Sequence, residues 1–240
     1  MQNHDPFRSI FDLSFALILV FIFISAIYMR TSKKYEGIIQ QNMFRNKTQY
    51  VISEQDLFNY GEYRFKDRKK ALEMINQAFE SINNQILEYE KITKRKKTIK
   101  NILIIGHTDN RPFAKSSEIR KYRFDYDNWN LSLDRAKEIV NLIVENHLLD
   151  KYPIFNEVMI LPAGKSFFSP NIEFVKDYLV KIKGIKSIEN ENVYNLFEDE
   201  IWNYILVNFS TEEVNNLIEY CNNTNEKRTI NRRIQIRLEI

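Results

Sequence analysis

A single carboxylate stands at the start of the one membrane-length apolar run in the chain. Residues 13–29 (LSFALILVFIFISAIYM) contain no charged side chain, and Asp12 directly precedes them. A charged residue in a membrane-spanning helix is costly, and those that occur there commonly carry ions or protons. Asp12 is therefore a candidate ion-carrying residue. The alternative is an interfacial acid that ends the span or caps its first turn.

Further candidate residues lie in three polar segments, each next to the end of a predicted strand or helix. The segments are 106–110 (GHTDN), 128–136 (NWNLSLDRA) and 231–233 (NRR). By themselves, Asp109 and Arg135 are an ordinary loop acid and an ordinary helix base. His107 has no second His or Cys at ligand spacing, so the sequence predicts no metal site.

Composition excludes some classes of protein. The 240 residues carry a formal net charge of +3, which is too small to indicate direct binding of nucleic acid. The single cysteine, Cys221, excludes an internal disulfide framework. The length of chain after the apolar run suits one soluble domain. We expect this domain to bind a ligand and not to act as an enzyme.

The apolar run predicts an uncleaved membrane anchor. It is longer than the apolar core of a typical signal peptide, and no clear small-x-small cleavage motif follows it. Five basic residues follow the run in the stem and only Arg8 precedes it, so the positive-inside rule favours a cytoplasmic location for the large domain. The predicted segments are a tail at 1–11, a transmembrane helix at 12–29 and a stem at 30–50.

Apolar periodicity predicts the main elements of the domain. Residues 67–91 place apolar side chains at steps of three and four, as an amphipathic helix does. The continuous apolar runs at 101–106 (NILIIG) and 157–164 (EVMILPAG) predict buried strands. Ser132 is the predicted N-cap of a second helix, whose buried stripe begins at Leu133.

The remaining segments complete the predicted order of elements. Residues 51–65 mix strand-forming residues with a turn signal at 59–61, and residues 171–222 predict a helical insert. Residues 232–240 alternate strictly between apolar and polar, which predicts a half-buried strand with one of its first two arginines facing solvent. This order indicates an α/β (α+β) sandwich with helices on one face.

The three polar segments resemble the signature of the OmpA C-terminal-like family of peptidoglycan-binding domains. In that signature GHTDN follows a strand, N-x-x-L-S-x-x-R-A opens a helix and NRR enters the last strand, in this order. LFNYGEYRF at 57–65 is similar to the family's first strand, so the resemblance covers about residues 51–240. It implies an OmpA C-terminal-like fold and a domain that binds peptidoglycan.

The resemblance also implies a role for each matching residue. Asp109 would accept the ammonium group of diaminopimelate in a peptidoglycan stem peptide, and Arg135 would hold its carboxylate. An acid and a guanidinium facing one pocket can recognise a zwitterion in this way. The other members of the implied site would add hydrogen bonds: Thr108, Asn128, Asn231 and Arg232.

Two features depart from the family pattern. The loop at 111–127 is longer than in many members, and about 60 residues separate the segment LPAGKSFFSP from NRR. We expect the insert either to cover the pocket or to bind another partner.

Asp12 and the apolar run narrow the resemblance to MotB-type stator subunits. PFRSIFDLSFALILVFIFI is similar to the segment in which an aromatic-rich lead precedes the ion-carrying Asp. The usual Trp and Thr are absent, and Phe7 and Phe15 stand roughly in their places. The resemblance implies a single-pass protein of the inner membrane with its C-terminal domain on the periplasmic, cell-wall side, in conflict with the charge count.

A stator subunit of this kind would form a homodimer inside a ring of a MotA-like or ZorA-like multi-span partner. It would carry H⁺ or Na⁺ on Asp12 and would need no bound cofactor. The short tail and stem favour the ZorB subunit of Zorya anti-phage systems over the flagellar MotB subunit. A membrane-to-wall tether with an inert Asp12 is the third alternative.

Overall fold

The computed structural model describes residues 49–94, 96, 98–111 and 127–239. The predicted tail at 1–11, the membrane helix at 12–29 with Asp12, and the stem up to residue 48 lie outside this part of the chain. Within the described ranges, no helix has both the length and the apolar character that a membrane crossing requires.

Four strands form the central sheet in the order β1-β6-β2-β3. They are β1 (Gln49–Ser53), β2 (Asn101–Gly106), β3 (Met159–Gly164) and β6 (Arg233–Glu239). β6 is antiparallel to both of its neighbours, whereas β2 and β3 are parallel. The last strand of the chain therefore lies between the first two strands.

Helices flank the sheet and form the insert between β3 and β6. They are α1 (Glu54–Leu57), α2 (Arg68–Thr93), α3 (Asn128–Glu145), α4 (Ile172–Asp177), α5 (Glu198–Asn208), α6 (Thr211–Cys221) and α7 (Asn225–Asn231). α3 packs on β2 and β3, and α2 contacts β1. The mixed α/β fold predicted from the sequence is confirmed. Shorter elements are 3-10 turns at Leu148–Lys151, Pro153–Phe155 and Val193–Asn195, a π-helical turn at Tyr178–Ile182, and the hairpin of β4 (Ser187–Ile188) and β5 (Glu191–Asn192).

α2 confirms the helix predicted at 67–91. The Asp67 side chain caps it by accepting a hydrogen bond from the Lys70 amide at 3.0 Å. The middle of its apolar stripe is fully buried, whereas Leu72 and Tyr89 at the two ends are partly exposed. The buried middle consists of Ile75, Phe79, Ile82 and Ile86.

α3 begins four residues before the predicted cap. Asp127, not Ser132, is the N-cap, and its carboxylate accepts from the Asn130 amide at 2.9 Å. Ser132 lies inside the first turns of the helix and is fully buried, so the predicted capping role is wrong. Its Oγ donates to the Trp129 carbonyl at 2.8 Å and accepts from the Ser166 amide at 3.2 Å.

Two glycines let α3 approach the ends of β2 and β3. A Cβ on Gly106 would lie 2.0 Å from the Ser132 carbonyl oxygen, and a Cβ on Gly164 would lie 2.6 Å from Ser132 Oγ. Such separations are far below van der Waals contact, so only glycine fits at these strand ends. The start of α3 is thereby fixed against the sheet edge that carries the polar loops.

β6 is buried on both faces over its first half, so the prediction of a half-buried strand is wrong there. Arg233 and Gln235 are buried together with the apolar residues between and after them. The reason is that the chain after β3 covers this face: the Ser169 carbonyl accepts from Arg233 Nη2 at 3.2 Å and lies 3.1 Å from His107 Nδ1. The alternation persists at Arg237, which is exposed.

The predicted insert at 171–222 is largely helical, with one short hairpin. It has a small apolar core of its own, which includes Leu179, Ile201, Leu217 and Cys221. Asn231 lies in the last turn of α7, two residues before β6 begins. Its Nδ2 donates to the Cys221 carbonyl at 2.8 Å and so connects the insert to the start of β6.

Candidate ligand-binding site

The ends of three strands bring the predicted motifs together. β1 and β2 end at the sheet edge where β6 begins, because β6 runs antiparallel to both. Glu54 follows β1, the loop with Asp109 follows β2, and Arg232 precedes β6. The Glu54 amide donates to the Arg232 carbonyl at 3.1 Å, and the side chains of Asp109 and Arg232, which are 123 positions apart, are hydrogen-bonded.

Five charged side chains form a continuous network at this edge, which we call the charged network. Three guanidinium groups and two carboxylates alternate along it, so it carries one excess positive charge. One end is buried inside the domain, and the other end is open to solvent. Their order in space is Arg135, Glu54, Arg232, Asp109 and Arg111.

Asp109 is buried and held by two arginines. Its Oδ2 accepts from Arg111 Nε and from Arg232 Nη1, each at 2.8 Å, and its Oδ1 accepts from the Arg111 amide at 3.1 Å. Arg111 Nη2 also lies 2.7 Å from Oδ2, so the carboxylate is pre-oriented, and Oδ1 is the oxygen with fewer contacts among the described residues. This arrangement suits an acid that accepts an ammonium group.

Arg135 is the most deeply buried member of the charged network. Its side chain is 1% exposed, and Nη1 lies 2.7 Å from Glu54 Oε2. Nε donates to the Glu62 carbonyl at 2.7 Å, and Nη2 donates to the Asn59 carbonyl at 3.3 Å. The ring of Phe58 lies beneath the guanidinium, 5.3 Å away. Arg135 thus contacts groups of the protein in this structure, and its predicted contact with a ligand carboxylate stays a prediction.

Glu54 is, with Arg111, one of the two members of the charged network that the sequence did not reveal. It lies at the start of the four-residue helix α1, 2% exposed, and its Oε2 is 3.9 Å from Arg232 Nε. Burial raises the pKa of its carboxyl, and the charges of Arg135 and Arg232 oppose that shift. A lone acid after a strand has no motif, so only the strand order could have placed it here.

Asn128 and Thr108 are both next to Asp109, Asn128 through a hydrogen bond and Thr108 as the preceding residue of the chain. Asn128 Nδ2 donates to the carbonyls of Asp109 at 3.1 Å and Arg111 at 2.8 Å, which fixes the loop backbone. The Thr108 amide donates to the Ser166 carbonyl at 3.1 Å. Thr108 Oγ1 is buried and has no hydrogen-bond partner among the described residues. The hydrogen bond of this hydroxyl to a ligand stays a prediction.

Asn231 contacts the insert, although the resemblance implied a place for it in the ligand site. Its Oδ1 accepts from the Asn171 amide at 2.7 Å, and its Nδ2 donates to Asn222 Oδ1 at 3.0 Å as well as to the Cys221 carbonyl. These contacts anchor α7 and the start of the insert. Arg232, the next residue, is the one that reaches Asp109.

His107 and Arg233 lie in a separate buried cluster. Neither Arg232 nor Arg233 faces solvent freely, so the expectation of one solvent-facing arginine is wrong. Burial lowers the pKa of Arg233 to about 10. Burial first, and then the charges of Arg233 and Lys165, hold the pKa of His107 well below its ordinary value, so its imidazole is neutral at pH 7.

The described residues contain no cluster of three or more His, Cys, Asp or Glu side chains that could hold a metal ion. Cys221 is free and buried in the core of the insert, and burial raises its pKa to about 12. A thiol with such a pKa is unreactive at neutral pH. The contacts that the structure shows at the site are ion pairs and hydrogen bonds.

The outer end of the charged network is the part that a ligand can reach first. The Arg111 side chain is 34% exposed, and its guanidinium lies 4.7 Å from the centre of the exposed Tyr60 ring. A ligand here meets a guanidinium and a phenol at the surface, and a carboxylate directly beneath them. Positive and negative groups side by side fit a ligand that itself carries both charges.

No family model and no curated protein matches the chain. Solved structures do match it. The periplasmic domain of Helicobacter pylori MotB is 12% identical, with a TM-score of 0.39 over 80% of this chain and 81% of that one. A MotB-like protein from Desulfovibrio vulgaris is 14% identical, with a TM-score of 0.37 over 80% of this chain and 72% of that one.

A third match is the cell wall anchor of the type VI secretion system from Pseudomonas aeruginosa. It is 18% identical, with a TM-score of 0.32 over 79% of each chain. At TM-scores this low the likeness adds no argument about function, which rests on the residues and their contacts.

Proposed function

We propose that the domain binds the stem peptide of peptidoglycan and anchors a membrane complex to the cell wall. One observation carries this proposal. Asp109, Asn128 and Arg232 come from three separate motifs, and all of them contact the same loop after β2. Residues that together bind one ligand must lie close together in the fold, even when the rest of the sequence has diverged.

The charged network suits a zwitterionic amino acid such as diaminopimelate. The ligand ammonium would bind Asp109, and the ligand carboxylate would pair with Arg111 or Arg232. A carboxylate could reach Arg135 only if the Glu54 side chain moved, because Glu54 Oε2 lies 2.7 Å from its Nη1. Bound charges would be largely desolvated here, so each pair would contribute more than a surface ion pair does.

Retention on purified sacculi tests this site. Asp109→Asn keeps the size of the side chain and removes the charge that would hold the ammonium, so we expect retention to fall by at least about tenfold. Asp150→Asn is the matched control, since its carboxylate is 75% exposed and pairs only with His147 among the described residues. If Asp109→Asn is retained as well as the wild type, the proposal that the stem peptide binds at this site is wrong.

We further propose that the chain is the B-type subunit of an ion-driven stator, in a Zorya-type anti-phage complex, with H⁺ or Na⁺ carried by Asp12. This part rests on the motif around Asp12 in the sequence. The proposed partners are a second copy of the chain and a MotA-like or ZorA-like multi-span protein. The alternatives are a flagellar MotB subunit and a tether without ion transport.

Asp12→Asn tests the stator against the tether. The amide cannot bind and release a proton, so ion-coupled activity should be lost, measured as protection against phage infection or as motility. A reporter that is active only in the periplasm, fused after residue 240, should stay active in both forms. Full activity of Asp12→Asn would contradict the stator proposal and support the tether without ion transport. A silent reporter in the wild type would contradict the wall-side location of the domain.

A further inference from the structure

Three aromatic side chains form a solvent-facing surface beside the charged network. Trp129 is 48% exposed and Phe168 is 52% exposed, and their ring centres are 6.3 Å apart. Phe167 stacks on Phe168, with ring centres 4.4 Å apart and planes inclined by 29°. We call Trp129, Phe167 and Phe168 the aromatic shelf. Adjacent exposed aromatic rings on a soluble domain commonly mark a binding surface.

Hydrogen bonds hold both halves of the aromatic shelf to one residue of α3. Ser132 Oγ donates to the Trp129 carbonyl at 2.8 Å and accepts from the Ser166 amide at 3.2 Å. The Phe168 amide donates to the Lys165 carbonyl at 3.3 Å, which closes the turn that carries both phenylalanines. The rings are therefore presented on a fixed backbone, and binding would cost little conformational entropy.

Hydrogen bonds link the segments that carry the aromatic shelf to the loop that carries Asp109. Trp129 directly follows Asn128, whose Nδ2 donates to the Asp109 carbonyl. On the other side, the Ser166 carbonyl accepts from the Thr108 amide, one residue before Asp109. Both backbone segments that carry the shelf are therefore bonded to the loop that carries Asp109.

We propose that the aromatic shelf binds the apolar face of an N-acetylhexosamine of the glycan strand. The proposal rests on the proposed binding of the stem peptide, because that peptide is covalently joined to the glycan. Three extended residues span only about 10 Å, so a sugar that bears a stem peptide bound at its third residue lies close to the peptide site. The rings are uncharged, and their electron-rich faces attract the C–H groups of a sugar ring.

Fluorine NMR on the full-length chain tests the shelf separately from the peptide site. The chain has two tryptophans, so 5-fluorotryptophan labelling gives two signals. The probe is the tetrasaccharide of N-acetylglucosamine, which carries no peptide, added to protein in a detergent without a sugar headgroup. We expect the Trp129 signal to shift and the signal of Trp202, which packs against the core of the insert, to stay in place.

Three variants test which side chains contribute to binding of the tetrasaccharide. Phe168→Leu keeps an apolar side chain without a ring and should weaken tetrasaccharide binding by about fivefold or more. Tyr194→Leu removes an exposed ring from the insert and should leave binding unchanged. Asp109→Asn should retain tetrasaccharide binding while it loses binding of a diaminopimelate-containing tripeptide.

The outcomes separate the two proposals. If the wild type binds the tetrasaccharide but no tripeptide, the shelf stands and the stem-peptide proposal fails. If the Trp129 signal does not move at saturating tetrasaccharide, or Phe168→Leu binds as the wild type does, the sugar proposal is overturned. A Phe168→Leu variant that changes only the sedimentation of the protein would assign the shelf to contact between copies of this chain, and would also overturn it.

Discussion

Glu54→Gln should strongly destabilise the domain, although it changes one oxygen to nitrogen. The carboxylate lies between Arg135 and Arg232, and its loss leaves a guanidinium that is 1% exposed without its counter-charge. Removing one partner of a buried ion pair typically costs about 3–5 kcal/mol. Arg135 keeps its bonds to the carbonyls of Glu62 and Asn59, so we expect the lower end, about 3 kcal/mol.

Tryptophan fluorescence during urea unfolding measures this cost. Both tryptophans of the chain, Trp129 and Trp202, lie in the described domain, so the signal reports on this domain and not on the N-terminal segment. With an m-value of about 2 kcal/mol/M, a loss of about 3 kcal/mol lowers the midpoint by about 1.5 M. Glu219→Gln, at an exposed position on α6, is the control and should leave the midpoint nearly unchanged.

A double-mutant cycle identifies the cause. Arg135→Met alone leaves Glu54 buried without this partner, whereas the double variant removes both charges together. The double variant should therefore lose clearly less stability than the sum of the two single variants. A midpoint shift for Glu54→Gln below about 0.5 M, or additive single effects, would refute the view that this pair is a coupled buried ion pair.

Two further variants probe the buried surroundings of the site. Stability should fall as the pH drops below 6.5, by up to about 1.4 kcal/mol per pH unit, because the unfolded chain binds the proton that buried His107 does not. His107→Gln should remove this part of the pH dependence of the urea midpoint, and an unchanged pH profile would contradict the neutral, buried imidazole. Gly106→Ala should cost about 3 kcal/mol, because its Cβ would lie 2.0 Å from the Ser132 carbonyl oxygen. Gly184→Ala, at a position with φ of +70° and open space, should cost only about 1 kcal/mol, and equal losses for the two variants would contradict the tight approach of α3 to β2.

The elements with strong local patterns could be predicted from the sequence. β2 has the predicted bounds, 101–106, because a short continuous apolar run flanked by polar segments has few other structures available. α2 departs from its prediction by two residues at its end, and its cap at Asp67 agrees with the spacing of its apolar stripe. These features depend on nearest neighbours in the chain and on periodicity alone.

Features that depend on contacts between distant segments could not be predicted. Ser132 has the residue type of a cap, but Asp127 precedes it and begins the helix earlier. Arg233 and Gln235 alternate with apolar residues, yet the segment after β3 buries them. Glu54 joins the site only because β1 and β6 are neighbours in the sheet. For Arg233, Gln235 and Glu54 the partner lies elsewhere in the chain, and the pattern of one segment carries no information about it. Asp127, in contrast, lies in the same segment as Ser132 and is an equally suitable residue type for a cap.

The motifs predicted where the site lies, but not how each residue is used. Asp109 and Arg232 are hydrogen-bonded at the sheet edge, a contact that the sequence did not predict. Glu54 and Arg232 lie between Asp109 and Arg135, the two residues that were predicted to face one pocket. Asn231 belongs to the same NRR motif as Arg232. Its side-chain amide nevertheless contacts the insert, because it lies at the end of α7 beneath α6. A motif thus located the site, whereas the division between ligand-binding and structural members depended on the insert.

Calorimetric titration of the full-length chain with a diaminopimelate-containing tripeptide tests the central claim most directly. The claim is that Asp109, held by Arg111 and Arg232, binds the ammonium group of a stem peptide. It predicts saturable binding to the wild type and to Asp150→Asn, weaker binding at high salt, and a loss of at least about tenfold in Asp109→Asn. A wild-type chain that shows no binding, or an Asp109→Asn variant that binds as tightly as the wild type, would contradict the claim.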